Sequence, residues 1–175
     1  MAELKMAPFD AANIPGPKMG RVTAPVVLGK MIKRAKRPLL ICGSEISEDG
    51  MIDKAIEIGK KGIPIAATGN AINSFMKKGY MDNVKYFSLH ELTNCMRDPE
   101  WKGLDGNGNY DTAIYLGTLY YYASGLMSAL KNFAPHVTVL SIDRYYHPNA
   151  VMTFGDIWRK PEDYQSMLDE VIAQI

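Results

Sequence analysis

The sequence is poor in side chains that bind metals. Two cysteines, Cys42 and Cys95, and three histidines, His90, His136 and His147, are spread over 175 residues. An iron–sulfur cluster usually takes about four thiolates, so this chain holds none by itself. There is no C-x-x-C pair, and His90-Glu91 is not followed by a histidine at the spacing of a zinc hydrolase. No apolar run approaches the ~20 residues that span a bilayer. The opening MAELKMAPFD has no apolar stretch of the kind a secretory signal needs. The expected compartment is the cytoplasm, where both thiols stay reduced, and nothing in the sequence argues for a Cys42–Cys95 disulfide. An excess of either charge is also lacking. Twenty Lys and Arg against nineteen Asp and Glu give +1, so no global field selects nucleic acid or an anionic membrane.

What is present is ordinary globular material, 47% apolar and 22% charged. A chain of this length buries roughly 70% of its unfolded surface, enough for one core without disulfides. Residues 1–22 carry Pro8, Pro15, Pro17, Gly16 and Gly20 and predict an extended arm. Met6, Phe9, Ile14 and Met19 give the arm something to bury if it wraps a partner. Residues 23–175 predict a single domain. Helical spacing over 24–36 sets Val27, Leu28, Met31, Ile32 and Ala35 on an apolar face, with Lys30, Lys33, Arg34 and Arg37 opposite. That basic group is either a solvated face or a docking surface for an acidic protein.

Short apolar runs alternate with further helical segments. Strands are expected at Pro38–Gly43, Ile63–Gly69, Val84–Ser88, Asp111–Gly117, Val137–Asp143 and Val151–Phe154. Helices are expected over 50–61, 70–78, 119–132 and from Pro161 onward, with a helical turn at Leu89–Cys95 and a glycine-rich loop over 97–110. Strand–helix alternation demands parallel pairing with right-handed crossovers. The predicted fold class is therefore α/β, a three-layer Rossmann-like parallel sheet of about six strands.

Open parallel sheets bind ligands beyond the carboxyl ends of their strands. The candidate site residues follow from that rule: Gly43, Ser44, Thr68, Gly69, Asn70, Gly117, Thr118 and Asp143. Glycines there let backbone N–H groups approach a phosphate, as in a nucleotide or flavin crevice. The other reading is that tight turns after strands need glycine in any case. Neither G-x-G-x-x-G nor G-x-x-x-x-G-K-[ST] is present, and Glu45, Glu48 and Asp49 would repel a phosphate.

Other features carry less. Asp105-x-Asn107-x-Asn109-x-Asp111 resembles the start of a calcium loop, but Tyr110 and Leu116 replace the glycine and glutamate that loop requires, leaving a Gly-Asn-Gly turn. The histidines read as turn or cap residues. Cys42 reads as an inert core residue, and Cys95 as a thiol that is reactive only if exposed. The run Tyr120-Tyr121-Tyr122 must turn at least one ring outward and, with Met127, forms either an interface cluster or a layer of the core. No nucleophile–base pair and no catalytic residue is legible.

The stretches PLLICGSEI, IPIAATGNAINSF, YDTAIYLGTLYYYASGLMSALKNF and VTVLSIDRYYHPNA resemble the epsilon subunit family of archaeal acetyl-CoA decarbonylase/synthase. The resemblance implies a fold similar to the deoxyhypusine-synthase-like NAD/FAD-binding domain. It also implies a partner, the catalytic alpha subunit that carries the Ni–Fe–S clusters, in an alpha-two-epsilon-two component interconverting carbon monoxide and carbon dioxide. The implied role is to stabilise that component or to help electrons pass to FAD. No metal and no tightly held cofactor is expected in this chain, only FAD docked transiently; the isolated chain is expected to self-associate. The competing expectation, from the glycine-bearing strand ends, is a free-standing flavin or nicotinamide enzyme.

Overall fold

A computed structural model describes residues 19–48, 50–155 and 160–175. The arm expected over 1–22 therefore lies mostly outside the described residues. Its last part is an edge strand, β1 (Arg21–Val22). The chain continues through α1 (Pro25–Arg34), β2 (Pro38–Cys42), a 3-10 turn (Ser44–Ser47), α2 (Met51–Lys60), β3 (Ile65–Ala67), α3 (Ala71–Lys77) and β4 (Val84–Tyr86). It then forms α4 (Leu89–Arg97), β5 (Thr112–Leu116), α5 (Tyr120–Phe133), β6 (Thr138–Ser141), β7 (Met152–Thr153) and α6 (Pro161–Ile172). All pairings are parallel, in the order β1-β7-β6-β5-β2-β3-β4. The six expected strands are all present, and β1 extends the sheet to seven.

The central strands are apolar throughout because both faces of the sheet are covered. Period-2 alternation sends Leu39 and Ile41 of β2 toward α4 and α5, where they pack with Leu92, Met96, Met127 and Leu130. Leu40 and Cys42 point the other way, into a core shared with Leu28 and Ile32 of α1, Ile58 of α2 and Leu168 of α6. From β2 the chain moves through β3 to β4, returns to β5 on the other side of β2, and continues to β6 and β7. The switch point lies between β2 and β5.

Two local features differ from expectation for identifiable reasons. Val27 is 44% exposed. A Cβ at Gly29 would lie 2.7 Å from Gln174 Cβ, and closer still to the Val171 carbonyl. The backbones of α1 and α6 thus meet at this glycine, which rotates Leu28 and Ile32 inward and Val27 out. The segment from Leu89 is a full helix rather than a turn, because the Ser88 hydroxyl caps it, accepting from the Glu91 N–H at 3.2 Å. No helix among the described residues is long and apolar enough to cross a membrane.

Candidate functional site

The fold gathers the eight candidate residues along the carboxyl edge of β2, β3, β5 and β6. They form two groups on either side of the 3-10 turn. In the first, β2 and β5 run directly into one another's loops. Gly43 N–H donates to Leu116 O at 3.0 Å, and Glu45 N–H donates to Gly117 O at 2.9 Å. A Cβ at Gly43 would collide with Gly117 O and the Thr118 backbone. Gly117 has φ +64°, and a Cβ there would sit 2.8 Å from Ile46 N. Both glycines serve close contact between this chain's own loops.

Asp143, just past β6, closes this group. One carboxylate oxygen accepts from Gly117 N–H and the other from the Thr118 hydroxyl at 2.9 Å. Both partners stand immediately before α5. The N-terminus of a 14-residue helix favours a negative charge, so the carboxylate is well placed electrostatically. His147 faces it, with Nε2 3.5 Å from Asp143 Oδ2. The imidazole is fully buried and lies against Tyr120, ring centroids 4.6 Å apart, and among the described residues neither ring nitrogen makes a hydrogen bond. His147 is therefore more than the turn or cap residue expected from the sequence. The only signal was its position four residues after Asp143, behind a strand end.

The second group is smaller. Thr68 donates twice to Cys42 O, from N–H at 2.8 Å and from Oγ1 at 3.0 Å. Asn70 N–H donates to Ser44 Oγ at 3.2 Å. Gly69 has φ +55°, and a Cβ there would press on Ser44 Oγ at 2.8 Å. Gly69 and Asn70 are exposed, Ser44 is half-buried, and Gly43, Thr68, Gly117, Thr118 and Asp143 are buried.

Charges of both signs meet at this edge. Burial raises the Glu45 pKa, and the nearby carboxylates of Asp143 and Glu48 raise it further, while Arg144 and His147 pull it down. Burial, with a contribution from Asp143, pushes the Cys42 thiol well up, consistent with an inert core residue. Cys95 is half-buried and raised by burial, then by Glu91 and Asp98, so it is not the activated thiol an exposed position would have allowed. Both cysteines are free. A flavin dinucleotide at this switch point would need free N–H donors for its pyrophosphate. Six donors of this edge, the N–H groups of Gly43, Glu45, Ile46, Thr68, Asn70 and Gly117, are already bonded within the chain.

Other sequence features have structural uses. Arg37 leaves the basic face to hold the glycine-rich loop: Nη2 bonds Asp105 at 2.7 Å and Gly108 O at 3.0 Å, and the guanidinium lies over Tyr110. Asp105 accepts from Asn107 N–H, an Asx turn, and Gly106 and Gly108 have positive φ. Lys30, Lys33 and Arg34 remain exposed. His136 bonds Met96 O at 2.9 Å and lines a cleft of about 250 Å³ with Arg34 and Asp111, at the amino edge of the sheet and away from the candidate site.

Helix α5 resolves the tyrosine run. Tyr121 is 77% and Tyr122 41% exposed, Tyr120 packs on His147, and Met127 is buried rather than part of a surface cluster. The outward stripe Tyr121, Tyr122, Gly125, Ser128, Ala129, Asn132 and Phe133 has no charged residue of its own, and at its end the Arg97 guanidinium of α4 lies over the Phe133 ring, 5.3 Å from the centroid. The outward faces of α1, α2 and α6 are studded with Lys, Asp and Glu. Gly125 sits in mid-helix with nothing within 4 Å of its Cβ position. Glycine there costs the helix about 1 kcal/mol relative to alanine, and no contact among the described residues requires it.

The profile of a family described as "CO dehydrogenase beta subunit/acetyl-CoA synthase epsilon subunit" matches residues 2–172. The chain is 53% identical over 167 residues to the acetyl-CoA decarbonylase/synthase complex subunit epsilon of Methanothrix soehngenii, covering 95% of this chain and 89% of that one. Identity is 41% to subunit epsilon 1 of Archaeoglobus fulgidus, over 95% of this chain and 91% of the relative. It is 32% to the subunit epsilon of Methanothermobacter thermautotrophicus, over 87% and 88%. With the match running across both groups of strand-end residues and the α5 stripe, the chain belongs to the CO dehydrogenase beta subunit/acetyl-CoA synthase epsilon subunit family.

Proposed function

We propose that the chain is a non-catalytic accessory subunit of a cytoplasmic acetyl-CoA decarbonylase/synthase complex. Its partner in this reading is the catalytic alpha subunit carrying the Ni–Fe–S clusters, in the alpha-two-epsilon-two carbon monoxide dehydrogenase component. The chain stabilises alpha and assists the passage of electrons to FAD, which docks transiently and is not held. The relatives named above are each a subunit of a complex, which supports a partner.

The observation that carries the reading is the uncharged outward stripe of α5. Exposed tyrosines and a phenylalanine flank a floor of Gly125, Ser128 and Ala129, and protein interfaces are enriched in such aromatics and depleted of charge at their centre. A glycine that weakens its own helix gains its use when a partner backbone approaches it. Without alpha, the same stripe pairs copies of this chain. Size-exclusion chromatography of the two purified subunits tests the reading. The chain should co-elute with alpha, show no carbon monoxide oxidation alone, and slow the thermal inactivation of alpha. Separate elution of intact subunits contradicts it.

A further inference from the structure

We infer that the switch-point crevice is a self-occupied anion site: the Asp143 carboxylate takes the place of a ligand phosphate, and the crevice does not accept a dinucleotide pyrophosphate.

Three features converge on that carboxylate. Its oxygens take the Gly117 N–H and the Thr118 hydroxyl, in the loop just before α5. It is almost fully buried. The buried His147 imidazole faces it at 3.5 Å and has no hydrogen-bonded partner among the described residues. A helix N-terminus and a backbone N–H make the phosphate site of a doubly wound sheet; here a hydroxyl donates as well, and the imidazole stands 3.5 Å away without a hydrogen bond to the carboxylate. Here the anion they meet belongs to the chain. The entrance is closed as well, since the 3-10 turn bonds Gly117 O through Glu45 N–H and packs Ile46 against Gly117. The half-buried Glu45 carboxylate adds a second negative charge to the rim, within reach of the Arg144 guanidinium. The glycines that suggest a nucleotide cradle thus bring two loops together, and the arrangement does not fit FAD. A flavin that accepts electrons near this subunit docks outside this crevice.

Two measurements test this on the full chain. Calorimetric titration of the wild type with FAD, ADP and inorganic pyrophosphate should show no site tighter than roughly 100 μM that pyrophosphate competes for. FAD binding that pyrophosphate does not displace agrees with docking elsewhere. FAD binding displaced by pyrophosphate overturns the inference. In the second measurement, Asp143→Ala removes the internal anion and leaves its donors. Acetate or inorganic phosphate should raise the melting temperature of that variant and leave the wild type unmoved. A folded variant that neither anion stabilises contradicts the inference. If Asp143→Ala does not fold, the wild-type titration still decides.

Discussion

The Thr118 hydroxyl donates to Asp143 Oδ2 at 2.9 Å, tying the loop after β6 to the start of α5 across the end of β5. Both residues are buried, so neither finds water as a substitute. Thr118→Val keeps the shape and deletes the donor. A buried carboxylate oxygen left without its partner should cost about 1–3 kcal/mol. Thr118→Ser should recover most of it. Chemical denaturation of the three proteins measures the difference.

Glu45 gives a pH dependence of defined sign. Burial, then Asp143 and Glu48, raise its pKa above the ordinary glutamate value, so the folded state holds its proton more tightly than the unfolded state. Its contribution is greatest at pH values below the unfolded pKa and is lost as pH rises through the folded one. Glu45→Gln should remove that loss. Melting temperatures of variant and wild type should coincide in acid and diverge above the glutamate range, the variant being the more stable at neutral pH.

Asp105 titrates in the opposite direction. Burial acts to raise its pKa, but the Arg37 hydrogen bond, the Asn107 bonds and the Arg37 charge outweigh it and hold the carboxyl at about 2. Its contribution is present above the unfolded value and is lost as pH falls toward about 2. The pair is partly solvent-exposed, so the effect on global stability is small. In Arg37→Met the Asp105 carboxyl should titrate near the ordinary aspartate value when followed by carbon-detected NMR.

Two glycines predict substitutions of opposite sign. Alanine at Gly29 drives a methyl into Gln174 and the Val171 carbonyl, where α1 crosses α6, and should cost about 1–3 kcal/mol. Alanine at Gly125 meets open space and should stabilise the isolated chain by about 0.5–1 kcal/mol. Thermal unfolding of the two variants checks both.

Much of this architecture was legible because each layer leaves a distinct period. Pro38–Cys42 and Thr112–Leu116 are buried on both faces and read as unbroken apolar runs. The amphipathic helices announce themselves between them. β1 was not legible, because two residues, Arg21–Val22, carry no period. The α4 cap is written in the sequence as Ser88-x-x-Glu91, ahead of a helix of only nine residues. The strand-end rule named eight residues that lie along one edge of the sheet, yet a glycine that cradles a phosphate and one that admits a neighbouring loop look alike in sequence. Only the positions of Thr118 and Ile46 against Gly43 and Gly117 separate them. The orientation of Val27 and the commitment of Arg37 to the loop over 105–110 depend on long-range contacts that no local pattern encodes.

The proposed role rests on the uncharged stripe of α5, and affinity for the alpha subunit tests it most directly. Gly125→Leu fills the floor of the stripe without touching the core of the chain. With the variant's fold intact by circular dichroism, its affinity for alpha should fall at least about tenfold, ~1.4 kcal/mol, and the double variant Tyr121→Ala/Tyr122→Ala should weaken binding likewise. Wild-type affinity in both variants would contradict the account.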